Sequence, residues 1–290
     1  MANSSDIRRR IRSVGNTAQI TKAMQMVAAS KMRRAQQAAL NGRRFSGLLY
    51  RLQRKATTQA VDFSHPLLEA REVRKRAVIL IAGDKGLCGA LNSNLFRLAS
   101  KFEEHSTLFI TGGRRAAQFV ARTRRQLFAE FAYGDSPRYA EAKAIATCAH
   151  DLFLSGQVDQ VQIVATRFIN TLTQEPVSFQ FLPVGEIKGL KFPDAASEQD
   201  LAANTMEYLF EPSPEAFLGY LLSHYLNIYI YEALLNAKAS EQSARMMAMK
   251  NATDNANTLI KTLTLEYNKL RQSKITTELL EILSGQIGSG

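Results

Sequence analysis

Tryptophan is absent from these 290 residues, and there are only two cysteines and seven prolines. Cys88 and Cys148 stand far apart. Neither a cysteine metal site nor a disulfide framework is indicated, and a reducing compartment is expected. No run of about 18 apolar residues occurs, so no membrane-spanning helix is expected. The most apolar stretch, Phe217 to Leu235, is broken by Ser223, His224, Asn227 and Glu232. The opening MANSSDIRRRIRSVGN lacks the apolar segment of a secretory signal. Its Arg-rich character resembles a mitochondrial presequence, but a helical pattern runs straight on past it. His65, His105, His150 and His224 are scattered without ligand spacing, and no Ser/His/Asp or paired-carboxylate arrangement is present. No catalytic residue, metal or cofactor is expected, which speaks against an enzyme.

Acid is nearly missing from one segment. Through Lys55 there are thirteen basic residues and a single acid, Asp6, whereas the whole chain carries +11. The remainder is therefore close to neutral. The basic excess belongs to the N-terminal segment, which should meet something acidic.

What is present at that end is a helical repeat. Ser4 or Ser5 can cap a helix, and Asp6 suits the positive end of its dipole. Ile7, Val14, Thr21, Ala28 and Ala35 recur every seven residues, with Ile11, Ala18, Gln25, Met32 and Ala39 as a second row on the same face. The rows shrink toward Ala, which lets a partner helix approach closely. Gly42 and Gly47 weaken the pattern beyond that point. At the other end, Ser213-Pro214-Glu215 reads as a cap, a first-turn proline and a first-turn acid. No proline follows. A helix from there to Ser284 would be roughly 105 Å long at ~1.5 Å per residue. Phe217 to Leu235 should be buried on nearly every side, and Ala237 to Asn257 is polar and rich in Ala and Met. The heptad then returns, with Met249, Ala256, Leu263 and Leu270 in one row and Thr253, Ile260 and Tyr267 in the other. Helices of this length need a partner for the apolar stripe, and antiparallel pairing of the two chain ends is the economical solution.

The middle reads as alternating strands and helices. Ala77 to Ala82 is a continuous apolar run typical of a buried strand. Helices are expected near 92–103, 114–122 and 137–154, and strands near 107–111, 158–170 and 177–184. This pattern implies an α/β fold, a Rossmann-like central domain with a largely parallel sheet. The expected organisation is a first helix over 1–60, a central domain over 70–195 with a linker near 185–197, and a last helix over 205–290. The turn Gly83 to Gly89 follows the first strand as a phosphate loop would, but its spacing fits neither phosphate-binding fingerprint. Cys88 beside Lys85 admits a reactive thiol, but it reads as a buried or turn cysteine. The basic helix admits a nucleic-acid reading, although aromatic residues are not interleaved with its charge.

Four segments carry a specific resemblance: ITKAMQMVAASKM from Ile20, GDKGLCGALN from Gly83, SEQSARMMAMKNATDNA from Ser240, and ITTELLEILSG from Ile275. In this order, and over essentially the whole chain, they resemble the gamma subunits of F-type ATP synthases. The resemblance implies a rotor shaft: an antiparallel coiled coil of the chain ends inside a ring of alpha and beta subunits. Below it, the α/β domain would contact the epsilon subunit and the membrane rotor ring. Proton flow would turn the shaft, and the chemistry would belong to the beta subunits, on the cytoplasmic face of a bacterial membrane. Met24, Glu241 and Arg245 match positions facing the beta-subunit lever loop. Arg271, Gln272, Thr276 and Glu278 match polar contacts near the tip. The chain departs from the family after Gly285, and no cysteine pair of the kind that regulates plant forms is present. The competing readings, from the basic helix and the Gly83–Gly89 turn, are a basic coiled-coil nucleic-acid-binding protein and a Rossmann-like enzyme.

Overall fold

The apolar run at Ala77 becomes the central strand of a five-stranded sheet. The computed structural model describes residues 4–59, 65–184 and 213–287, with the backbone alone for 39–59, 214–215 and 281–287. The strands are β1 (Arg76–Ile81), β2 (Thr107–Gly112), β3 (Gln126–Phe131), β4 (Gln160–Phe168) and β5 (Gln174–Leu182), in the spatial order β3-β2-β1-β4-β5. β1 lies parallel to β2 and β4, with Ile79 opposite both Ile110 and Ile163. β3 is parallel to β2, while β5 returns antiparallel to β4 as a hairpin. β1 reads apolar without alternation because it is buried on both faces. Ala77, Ile79 and Ile81 face one core, and Val78, Leu80 and Ala82 the other.

Helices α2 (Leu91–Ala99) and α3 (Arg114–Arg122) cover the second of these faces, where Phe96 stacks on Phe119 with ring centroids 4.5 Å apart. The other face is covered by α4 (Tyr139–Leu154) and by Leu222, Tyr225, Leu226, Ile230 and Leu234 of the last helix, α5 (Pro214–Ile287). About half of the Phe217–Leu235 stretch is buried; Phe217, His224, Asn227, Tyr229, Tyr231 and Glu232 are half-buried, Ser223 is exposed and Tyr220 is 78% exposed. β2 runs into Gly113, whose φ is +90°. A Cβ there would lie 2.1 Å from the carbonyl oxygen of Ala82, so only glycine fits the close passage of the two strand ends.

The first helix, α1 (Ser4–Gln59), continues through Gly42 and Gly47. Its buried described positions are Ile7, Ala18, Thr21, Ala28, Met32 and Ala35, all members of the two heptad rows. On α5 the buried positions after Arg245 are Met249, Thr253, Ala256 and Leu263, again from the rows. The hydroxyls of Thr21 and Thr253 meet at 2.7 Å inside the seam. Further along α1, Lys31 shares the carboxylate of Asp135 with Lys238 of α5. The Ser213 hydroxyl accepts from the Ala216 amide at 3.3 Å, the N-cap that its sequence announces.

The chain divides into two units, Met1–Ala28 with Arg245–Gly290, and Ala29–Ala244. Three features differ from expectation. β3 and a short 3-10 turn at Pro66–Leu68 are additional. α2 stops at Ala99 instead of continuing to 103. The linker expected at 185–197 and the first residues of the 205–290 helix lie outside the described residues.

Candidate functional site

Seven consecutive residues of α5, Ala237 to Ser243, are all buried. Five of them are polar or charged: Lys238, Ser240, Glu241, Gln242 and Ser243. A helix buried on every side is ordinarily apolar, so each of these groups calls for a partner. The Ser240 hydroxyl donates to the Thr166 carbonyl at 3.4 Å, and the Ser243 hydroxyl to the Thr171 carbonyl at 2.8 Å. Both acceptors lie on the β4–β5 hairpin, one at the end of β4 and one in its tip. The Lys238 ammonium, 1% exposed as a residue, donates to Glu241 at 3.0 Å and lies 3.3 Å from Asp135. It also sits 5.3 Å from the centre of the Tyr133 ring, a favourable place for a desolvated cation.

The surroundings complete the arrangement. Asp135 lies between β3 and α4 and also receives Lys31 of α1. These two cations hold its carboxyl below the ordinary carboxylate range, the Lys31 hydrogen bond foremost, with burial opposing. The Tyr133 hydroxyl donates to the Ala82 carbonyl at 2.8 Å. Burial, then the negative charges of Glu241 and Asp84, push its pKa well above 10. Glu241 lies on Gly83, where an added Cβ would come within 2.7 Å of the carboxylate carbon. An acid thus occupies the start of the glycine turn, where a phosphate would meet repulsion. Among the described residues no cluster of His, Cys, Asp and Glu suits a metal ion. Cys88 is buried, and Cys148 is half-buried with its thiol pKa raised by burial and then by Asp151.

The residues singled out in the sequence fall into two sets. Met24 is half-buried on α1, while Arg271, Gln272, Thr276 and Glu278 are exposed on α5. Thr276 donates to the Gln272 carbonyl at 2.9 Å, and Glu278 lies 3.6 Å from Lys274, so both are held by their own helix. Glu241 and Arg245 are buried, Glu241 in the polar stretch just described. Sequence reasoning missed Lys31, Asp135 and Lys238. The one available signal was Lys238 three residues before Glu241, a helical ion-pair spacing. In the paired ends, Gly15 and Ala18 leave an open groove of about 500 Å³ flanked by Lys22, Lys250 and Asp254.

The sequence model of the ATP synthase family matches residues 3–287. The chain is 45% identical to the ATP synthase gamma chain of Opitutus terrae, over all of this chain and 99% of that one. It is 43% identical to the ATP synthase gamma chain of Methylacidiphilum infernorum, over the full length of both. A chain in the central stalk/c-ring structure of the Tetrahymena thermophila mitochondrial ATP synthase superposes with a TM-score of 0.58 at 26% identity, covering 80% of this chain and 99% of that one. With its landmark segments, paired chain ends and Rossmann-like unit all in place, the chain belongs to the ATP synthase gamma chain family.

Proposed function

We propose that this chain is the central shaft of a proton-translocating F-type ATP synthase, a non-catalytic subunit that couples proton flow to ATP synthesis or hydrolysis on an alpha/beta ring. Its further partners are an epsilon subunit and the membrane rotor ring. It works as a peripheral subunit on the cytoplasmic face of a bacterial inner membrane. No described helix is long and apolar enough to cross the bilayer, so attachment runs through those partners. Full-length kinship to gamma chains carries this reading, and the likeness to a central-stalk structure agrees with it. The physical design agrees too. A shaft needs a stiff seam, and the buried rows of α1 and α5 provide one. It also needs contacts that release at each step, and exposed ion pairs worth ~0–1 kcal/mol suit that use. Met24, Glu241, Arg245, Arg271, Gln272, Thr276 and Glu278 are the proposed rotor–stator set; Glu241 and Arg245 are buried, so they act on that contact through the helix they hold in place and not by touching another chain.

The test is affinity purification of the tagged full chain from its own cells. Co-purification of ATP synthase subunits with ATP hydrolysis activity is expected. Recovery without them, or with nucleic acid whose binding falls steeply with salt, overturns the proposal.

A further inference from the structure

The Lys31–Asp135–Lys238–Glu241 chain remains to be explained. Its formal charges alternate and sum to zero. It joins four parts of the fold: α1 through Lys31, the segment after β3 through Asp135, α5 through Lys238 and Glu241, and the end of β1 through Gly83. Asp135 is the meeting point. One carboxylate takes an ammonium from each terminal helix, Lys31 on Oδ2 and Lys238 on Oδ1.

Stability alone is a poor account of such a chain. The Lys238 and Glu241 side chains are buried, at 2% and 3%, while those of Lys31 and Asp135 are 35% and 47% exposed. Desolvating the inner pair is costly, and apolar side chains of similar volume usually hold a buried site as well or better. Directional charge pairs supply what apolar packing does not, a unique setting. The seam of α1 carries small residues such as Ala28 and Ala35, and rows of small apolar residues tolerate sliding by a ridge. A carboxylate gripped from two sides does not, because rotation of α5 draws the buried Lys238 away from Asp135 and rotation of α1 draws Lys31 away from it, while Lys238 keeps only Glu241 of its own helix. The hydroxyls of Ser240 and Ser243 fix the same turns of α5 to the β4–β5 hairpin.

We propose that Lys31, Asp135, Lys238 and Glu241 form a rotational key that fastens both terminal helices to the α/β unit, with Asp135 as its central positioning residue. In the shaft reading, on which this inference rests, torque entering at the α/β unit reaches the helices through this key instead of being lost as slip. None of the four residues touches a reacting atom.

The experiment uses the assembled complex in inverted membrane vesicles and reads ATP-driven proton pumping relative to ATP hydrolysis. Asp135→Asn keeps size and removes charge. It should assemble and hydrolyse ATP while the pumping-to-hydrolysis ratio falls about two- to tenfold. Asp135→Glu should restore most of the ratio. Lys31→Met, at a side chain 35% exposed and so easily replaced, should lower the ratio as well, and the double variant should be no worse than Asp135→Asn alone. A merely structural contact would change the amount of complex and leave the ratio per complex intact. If Asp135→Asn does not assemble, Lys31→Met carries the same test. An unchanged ratio in the assembled variants overturns the key. A wild-type chain that joins no proton-pumping complex overturns the shaft reading instead, so the two failures are distinct.

Discussion

A methyl group at Gly113 would point at the Ala82 carbonyl oxygen from 2.1 Å. That oxygen is already held by the Tyr133 hydroxyl, so it cannot retreat without breaking a buried bond. The positive φ adds strain of about 1–3 kcal/mol for any L side chain. Gly113→Ala should therefore lose at least about 2 kcal/mol in urea unfolding of the purified chain. Gly156 is the internal control. Its φ is +71°, but nothing lies within 4 Å of the added atom, so Gly156→Ala should cost only about 1 kcal/mol. Equal losses at the two glycines would show that the carbonyl clash is relieved. Asp135 makes a different residue-scale prediction. It faces Lys31 from α1 and Lys238 from α5, with Glu241 on the far side of Lys238. Its folded pKa lies below the ordinary 3.8. Its contribution to stability is therefore complete above that ordinary value and is lost as pH falls through the lowered one. Stability measured from pH 7 downward should show a shallower acid loss in Asp135→Asn than in the wild type.

At the scale of elements, the seam of α1 and α5 was legible because periodicity survives in sequence. Small residues every seven positions are a pattern, and the buried positions follow it. β3 was not legible. It is an edge strand with Leu127 and Phe128 exposed at 42% and 48% and Glu130 on its outer side, so it has neither an apolar run nor a clean alternation. The burial of the polar stretch Ala237–Ser243 was not legible for the converse reason: its composition names no partners, which come from the turn after β1, the segment after β3, and the β4–β5 hairpin. Asp135 and Lys238 stand about a hundred residues apart in sequence, and no local pattern links them. The threonine pair gives the element-scale prediction. Each hydroxyl has one hydrogen. Thr253 donates to the Met249 carbonyl at 2.8 Å, so Thr21 donates across the seam and leaves its own 3.1 Å contact with Ala18 unfilled. A cycle of Thr21→Val, Thr253→Val and the double variant should give a coupling of about 0.5–1.5 kcal/mol in chemical unfolding. The double variant should be close to wild type, because two apolar groups replace a matched pair. A coupling of zero would mean the hydroxyls do not exchange a bond.

At the scale of the molecule, two kinds of surface on α1 bear on its use. The N-terminal segment holds all of the chain's positive excess, with Arg33 and Arg34 exposed on α1. The same helix exposes Ile20, Met26 and Val27 at 61%, 59% and 54%. In the proposed shaft, a neighbouring chain would cover these water-facing apolar groups, which lie outside the buried rows. Met24 is half-buried beside them. Its thioether is soft and uncharged, and it makes contacts that are easily exchanged. In a shaft this matters more than strength, because each contact with the ring must be made and then given up. An ammonium at this position would find any acidic loop of the ring and hold it. A partly desolvated pair binds harder than the ~0–1 kcal/mol of an exposed one, and every step past that loop would have to break it. Met24→Lys should thus assemble and hydrolyse ATP, while its pumping-to-hydrolysis ratio in vesicles falls about two- to fivefold, the equivalent of ~1 kcal/mol per step. Met24→Leu keeps the apolar character and should leave the ratio unchanged, which separates the charge from the loss of the native side chain. A ratio in Met24→Lys equal to wild type would remove Met24 from the rotor–stator contact. It would leave the key at Asp135 standing, since that device transmits torque within the chain and Met24 would transmit it to another.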